Sequence, residues 1–264
     1  MSTIQLVIVS LIQGITEFLP ISSSGHLMLL PLLTGWHDQG ITMDMAAHMG
    51  TFCAVMLYFR KDVVNFIYEI KELVTLRKYP KELVLIVVAT IPTIVVGGLW
   101  SGRGVEMGPS LFIIGLASLI FGAAMGYVDR VQPEKFKRDQ MTVLQAFLIG
   151  CAQVCALIPG ASRSGTTVSM ARILGFARDE AFHFSFLMSL PVTAAAGILI
   201  FFKAKKFGEV LFTPHFILVA SLSAIIGLVA ISVIMPLFKR ISLLPFALYR
   251  VVLGILLIGV SLYI

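Results

Sequence analysis

The sequence predicts an all-α polytopic membrane protein with an inverted-topology repeat, each half a re-entrant helical hairpin followed by three transmembrane helices. Three observations lead there. Hydrophobic residues make up 58% of the 264 and charged residues only 13%, about half the roughly 25% charged share of soluble domains. Six stretches, 43–60, 83–101, 110–128, 183–202, 216–238 and 245–263, are apolar enough to cross the hydrocarbon, which takes about twenty residues. Two more, 3–35 and 141–180, are apolar at their flanks and broken in the middle by Pro, Gly, Ser and a charge.

Irregular backbone at membrane depth survives only where protein or a water-filled cavity covers it, so the two broken stretches read as hairpins that dip in and turn back. They resemble each other. Gln13 precedes Gly25 by twelve residues and Gln153 precedes Gly165 by twelve, with EFLPISSSG before the one glycine and ALIPGASRSG before the other. A hairpin returns to its own side and three spans do not, so the second unit must enter from the opposite face. The expectation is one membrane domain, 1–264, with repeat 1 about 1–135 and repeat 2 about 136–264. Such repeats place their ligand site where two broken segments meet near the midplane.

Basic residues in the loops set the orientation. The loops opposite the termini hold Arg60, Lys61, Lys71, Arg77, Lys78, Lys81, Arg130, Lys135, Lys137, Arg138, Lys239 and Arg240, against Arg103, Lys203, Lys205 and Lys206 on the terminal side. Both termini are therefore expected outside, with loops 60–82 and 129–140 cytoplasmic. The start, MSTIQLVIVS, carries no basic leader or small-residue cleavage site, so the first apolar segment is expected to be retained. The net charge of +6 is spread over these loops, and no Lys/Arg run with interleaved aromatics points to nucleic acid. Cys53, Cys151 and Cys155 are odd in number among apolar neighbours and read as packing residues.

A charge at the centre of a membrane helix costs about 2.5–3.5 kcal/mol on insertion scales, so Glu17, Arg163 and Arg250 are candidates for function. The first two fall inside the hairpin breaks; Arg250 opens the last predicted span, where snorkelling to the interface is the alternative. Ser23 and His26 are three apart, so the imidazole is expected to reach the hydroxyl as a base would. Glu17 lies four residues after Gln13, and a carboxylate beside an amide oxygen suits a hard divalent cation that also takes substrate phosphates. In SRSGTT (162–167), Arg163 is the planar donor for phosphate oxygens, with hydroxyls and a glycine that admits backbone N–H groups. Helix N-termini at both breaks add partial positive charge. Together these describe a phosphate or pyrophosphate site. Close packing of small residues accounts for Gly97, Gly98, Gly115 and Gly122, but not for a Glu, a His and an Arg in the two breaks. Asp44 and His48, four apart on the next span, read equally as support for the first hairpin or as an interior pair.

QGITEFLPISSSGH and PGASRSGTT resemble the two signature segments of the bacterial undecaprenyl-pyrophosphate phosphatase family, also called the bacitracin-resistance proteins, and LLPFALYR, ending at Arg250, resembles a third patch. The likeness extends over essentially the whole chain. It implies removal of the terminal phosphate from a polyprenyl pyrophosphate lipid, in the bacterial cytoplasmic membrane, to give the carrier lipid for peptidoglycan. It implies a site open to the periplasmic or outer face and a divalent metal, Mg or Ca. By resemblance the family's nucleophilic serine falls on Ser23, its histidine on His26 and its phosphate-binding arginine on Arg163; direct attack by His26 or by a metal-activated water is equally admissible. Ser22, Ser24, Gly25, Ser162, Ser164, Gly165, Thr167 and Arg250 lie around the substrate, with Glu17 and Gln13 at the metal. The family's first motif carries Glu or Gln at the position of Gln13, and the Gln form leaves one carboxylate here. A homodimer is admissible.

SSSGH and SR also resemble an unrelated membrane phosphatase superfamily in which a histidine follows the SR segment closely. Here the first such histidine is His183, about twenty residues on, and that reading fails on spacing. The rival class is a lipid-phosphate transporter or flippase, for which inverted repeats are typical. A carrier needs no activated nucleophile, so the Ser23–His26 pair separates the two.

Overall fold

The computed structural model describes residues 1–76, 79–102, 110–206 and 210–263. Helices dominate: α1 Thr3–Thr16, α2 Ser23–Thr34, α3 Gly40–Tyr58, α4 Arg60–Leu76, α5 Lys81–Gly102, α6 Leu111–Val131, α7 Val143–Val154, α8 Arg163–Ile173, α9 Arg178–Lys206, α10 Pro214–Phe238 and α11 Leu244–Ser261. Among the described residues the only β pairing is an isolated parallel bridge between Phe136 and Phe176.

Local signals account for where these helices begin and end. Ser2 and Gln5 close a capping box on α1, and Thr142 and Gln145 close another on α7, each satisfying donors that a first turn leaves unpaired. Thr213 caps α10 with proline in its first turn, where the missing N–H is no loss. Gly35 ends α2 at φ +68, the left-handed conformation glycine adopts without a Cβ penalty.

Among the described residues six helices are long and apolar enough to cross a membrane: α3, α5, α6, α9, α10 and α11. All six expected spans are present. The fourth is longer than expected, starting at Arg178 rather than near residue 183. The short pairs α1/α2 and α7/α8 occupy the two broken stretches. Segment 60–82, expected as a loop, contains the helix α4, which exposes Val64, Ile67, Tyr68 and Val74, the kind of apolar face by which a helix rests on a membrane surface. Arg77, Lys78 and Arg103 of the loop count lie outside the described residues.

Close approach of backbones holds the bundle together. A Cβ added at Gly50 in α3 would sit 2.3 Å from the Ala220 carbonyl oxygen of α10. One at Gly150 in α7 would sit 2.2 Å from the Ala89 oxygen of α5, and one at Gly254 in α11 would sit 2.6 Å from the Gly115 oxygen of α6. Without a hydrophobic drive between helices in lipid, such small-residue contacts supply the packing. Gly115 and Gly122 act as the sequence suggested, whereas Gly97 and Gly98 instead line an apolar cavity between α5 and α9. Cys53 and Cys151 are exposed and Cys155 is half-buried, all three free, so the first two are not the packing residues the sequence suggests.

Two ion-pair clusters tie elements of the first half to elements of the second. Asp129, buried at the end of α6, accepts from Arg172 Nε at 3.2 Å, Arg178 Nε at 2.7 Å and the Leu243 N–H at 2.8 Å. That one carboxylate joins α6, α8, α9 and the start of α11, and it makes the burial of Arg172 tolerable. Asp62 of α4 meets His183 Nε2 at 3.0 Å and Arg138 Nη1 at 3.4 Å. Burial alone would raise the Asp62 pKa, but His183 and Arg138 overcome that and hold it below the usual carboxylate range.

Candidate active site

Both hairpin breaks have the same backbone construction. Ser22 precedes α2 at φ 73, ψ 90, and Ser162 precedes α8 at φ 68, ψ 115. These are the only non-glycine residues with positive φ among those described, a conformation that costs on the order of 1–3 kcal/mol for such residues. Each serine caps its own helix: Ser22 Oγ accepts from the Gly25 N–H at 3.3 Å, and Ser162 Oγ from the Gly165 N–H at 3.1 Å. Each also lies 3.4 Å from the hydroxyl two residues on, Ser24 in one break and Ser164 in the other. The second break needs Gly160 as well, at φ +90 with its Cα side against the Ile114 carbonyl, where a Cβ would come within 2.6 Å.

The breaks meet at Glu17. Its Oε1 accepts from Arg163 Nη2 at 2.6 Å and its Oε2 from the Ser23 hydroxyl at 2.6 Å. Gln13 Nε2 donates to Oε2 at 3.1 Å, and His48 Nε2 stands 4.0 Å away. Arg163 Nη1 donates onward to the Ser185 carbonyl at 3.3 Å, and Ser164 Oγ donates to the Leu19 carbonyl at 3.2 Å, tying the second break to the first. A recess of about 30 Å³ lies between the breaks, lined by Glu17, Ser22, Ser23, Ser24, Ser162, Arg163 and Ser164, room for about one water. A larger cavity of about 370 Å³ shares Glu17, Ser24 and Arg163 and extends past Asp44, His48, Thr93 and Gln153 to Val192 and Ile200 of α9. The N-termini of α2 and α8 therefore bring their positive ends to one place, beside one carboxylate.

Several sequence expectations are corrected here. His26 does not reach Ser23. Its Nδ1 lies 2.7 Å from the Ser22 carbonyl and its Nε2 2.6 Å from the Tyr249 hydroxyl. A carbonyl only accepts, so the Nδ1 proton goes to Ser22 and the Nε2 lone pair faces Tyr249. The acceptor for Ser23 is Glu17. Gln13 turns its N–H₂ group, not its oxygen, toward Glu17. The Thr51 hydroxyl donates to the His48 carbonyl at 3.1 Å, so its lone pair takes the second Gln13 N–H at 3.3 Å.

Thr167 is fully buried; its hydroxyl lies 2.8 Å from the Arg163 carbonyl, to which it donates, and 2.7 Å from Ser185 Oγ. It supports Arg163 instead of facing the recess. The N–H groups of Gly25 and Gly165 are taken by the capping serines and do not point at a ligand. Arg250 neither snorkels nor lines the recess. It sits inside α11, fully buried, with Nη2 donating to the Gly160 and Ala161 carbonyls at 3.0 and 2.8 Å and Nη1 to the Pro20 carbonyl at 3.4 Å. It satisfies the irregular backbone of both breaks at once. Asp44 and His48 both line the larger cavity, which favours their reading as part of the site.

Tyr249, Thr51, Thr93 and Gln153 join the site without having been assigned a role. Tyr249 lies in the third resembling patch beside Arg250, and Gln153 served only to measure the repeat spacing. That matched spacing was the one available signal for Gln153.

A family model described as bacitracin resistance protein BacA matches residues 6–256. Proteins named undecaprenyl-diphosphatase are similar over nearly the full length. The one from Maricaulis maris is 42% identical over 264 residues, covering 98% of each chain. Those from Alcanivorax borkumensis and Ruegeria pomeroyi are 38% and 37% identical, covering 98% and 99% of each chain.

Arg250→Ala would leave the carbonyls of Pro20, Gly160 and Ala161 without these partners, at about 1–3 kcal/mol each for buried groups. A marked fall in Tm in detergent is expected, larger than for Tyr249→Phe next to it. An unchanged Tm would show that Arg250 is not the staple of the breaks.

Proposed function

The chain belongs to the bacitracin resistance protein BacA family, and from that premise we infer that it hydrolyses undecaprenyl pyrophosphate to undecaprenyl phosphate and inorganic phosphate. It is a multi-pass membrane enzyme whose substrate is a polyprenyl pyrophosphate lipid, and its product is the carrier lipid that envelope polymer synthesis consumes. Bacitracin resistance is the trait by which the matching family is described. The observation that carries the catalytic reading is the meeting of Ser23 and Arg163, one from each break, on the two oxygens of Glu17. No observation favours the transporter reading.

In the proposed reaction the pyrophosphate lies at the N-termini of α2 and α8, and Arg163 turns from Glu17 to its oxygens. The Ser23 hydroxyl attacks the distal phosphorus and Glu17 Oε2, already its hydrogen-bond acceptor, takes the proton. The bond from the distal phosphorus to the bridging oxygen breaks and undecaprenyl phosphate leaves. Water then attacks the phosphoserine, its oxygen joining phosphorus as Ser23 recovers a proton. Charge grows on the bridging oxygen as that bond breaks, and a guanidinium aimed there stabilises the transition state more than the ground state. Direct attack by water uses the same Arg163 and Glu17. His26 and Tyr249 hold the first turn of α2 in place from behind.

A divalent cation, Mg or Ca, is proposed with the substrate. Among the described residues no group of three or more His, Cys, Asp or Glu could hold one. The donors present fit a cation that arrives with phosphate ligands: Glu17 would hold it through one carboxylate oxygen, as Mg²⁺ sites on phosphates do. Its chemistry there would be to offset the pyrophosphate charge.

The two matching breaks support an inverted repeat, and the basic loops support a site open to the outer face of the bacterial inner membrane. The larger cavity agrees, being lined by the N-terminal part of α3 and the C-terminal part of α9, which the loop count puts on the side of the termini.

Three outcomes test these readings. Purified protein in detergent should release phosphate from a prenyl pyrophosphate. Ser23→Ala should lower kcat by about 10² or more, and His26→Ala by less. A Ser23→Ala loss below tenfold, roughly 1.4 kcal/mol, removes Ser23 as nucleophile, and an equal loss for His26→Ala removes Glu17 as its base. EDTA should abolish turnover and Mg²⁺ or Ca²⁺ restore it; full activity in excess chelator rules the cation out. Lys135→Cys, in a variant cleared of Cys53, Cys151 and Cys155, should escape an impermeant thiol reagent in intact cells, and labelling there would invert the orientation.

A further inference from the structure

We propose that the apolar slot between α5 and α9 holds the first part of the substrate's polyprenyl chain, next to its headgroup. The inference rests on the phosphatase reading above and adds to it the path of the lipid tail. The slot has a volume of about 370 Å³, with Ile94 and Gly97 on its α5 wall and Ala195 and Leu199 on its α9 wall. Thr93, Leu157, Val192 and Ala196 line both the slot and the larger cavity that holds Glu17, Ser24 and Arg163. The two spaces therefore adjoin, and a molecule seated in one reaches the other.

Their chemistry differs as the two ends of a pyrophosphate lipid differ. The larger cavity carries the carboxylate, the guanidinium and a serine hydroxyl. Thr93 is the one polar side chain on the slot, and its hydroxyl is engaged, 3.5 Å from the Gly150 carbonyl and 2.9 Å from Gln153 Nε2. The slot thus offers a ligand no hydrogen bond and suits hydrocarbon. Ile94, Leu157 and Leu199 on its walls are 45%, 37% and 42% exposed, so it opens on the outside of the bundle, which hydrocarbon covers in a membrane protein.

Small residues on membrane helices draw backbones together, as Gly50, Gly150 and Gly254 do here. Gly97 does not. A Cβ there would first meet Leu157 Cδ2, at 3.7 Å, an ordinary van der Waals contact. The packing of α5 and α9 leaves this space open. At roughly 30 Å³ per water-sized group it takes about twelve carbons, or two isoprene units. The unit nearest the headgroup fits along Met45, Met49 and Val192 of the larger cavity, and the next two fill the slot. Lipid tails are as apolar as these walls, so the slot adds no hydrophobic drive for a chain already in the membrane. What it adds is position: with the first units fixed, the distal phosphorus is presented to Ser23 in one orientation.

Gly97→Leu fills the slot, and leucine within a helix is favoured over glycine, so its Tm should hold or rise. Two substrates read the effect in one detergent: isopentenyl pyrophosphate, with one isoprene unit, and farnesyl pyrophosphate, with three. The kcat/KM of the longer relative to the shorter should fall about tenfold or more in Gly97→Leu. Val95→Leu, which adds bulk at an exposed position of the same helix, should keep that ratio within about twofold of wild type. An unchanged ratio in Gly97→Leu, or an equal fall for both substrates, overturns the inference. A second measurement uses the unaltered protein: a farnesyl pyrophosphate analogue with a diazirine on its last unit should label slot residues of α5 or α9. Labelling confined to other helices overturns the inference even if Gly97→Leu fails to fold. A wild-type protein that releases no phosphate from undecaprenyl pyrophosphate would instead overturn the phosphatase reading, so the two failures are distinct.

Discussion

The architecture depends on one arginine that feeds two gaps. A chain break buried inside a helix bundle gives up helical hydrogen bonds where no water can replace them, and each orphaned carbonyl is costly. Arg250 reaches Pro20 in one break and Gly160 and Ala161 in the other from a single position on α11. Room for it is made by glycines: a Cβ at Gly122 would come within 2.6 Å of Arg250 Cβ, and one at Gly165 within 2.5 Å of its Nη1. The two breaks are thereby held in register, and only then do Ser23 and Arg163 converge on Glu17.

Charge at the site follows from the same economy. A lone carboxylate or guanidinium at membrane depth would each be expensive, and here they neutralise each other at 2.6 Å. Ser23 is on the opposite carboxylate oxygen from the arginine, so one side chain orients both partners. Two short helices then add their N-terminal dipoles. Polar groups crowd into a few residues because each makes the burial of the next affordable.

Much of this was legible in the sequence because membranes impose long, uniform signals. The spans follow from apolar runs of fixed length, and the two short helix pairs from runs broken by Pro, Gly and Ser with matched spacing. What escaped was everything that depends on which way a side chain turns. Ser23 and His26 are three apart, but Ser23 is the first residue of α2 and reaches back across the break to Glu17, while His26 bonds to the carbonyl four residues before it. Arg250 reads from the sequence as a substrate contact or an interface anchor, because its distance from a span end says nothing of depth or of which backbone it meets. The Asp129 cluster joins residues 43 and 49 positions away, and no local pattern announces it. Helix α4 was missed because its charged residues, spaced among apolar ones, give the segment a loop-like composition.

The Glu17–Arg163 pair has a consequence for the proposed reaction. The carboxylate occupies the arginine as a phosphoryl oxygen would, so a headgroup that binds Arg163 would have to displace an anion the protein itself supplies. On that reading weakly charged lipids would compete poorly and a pyrophosphate well. After cleavage the lipid carries one phosphate fewer, and the carboxylate would reclaim its place. Release of product would then be assisted by a competitor that never diffuses away.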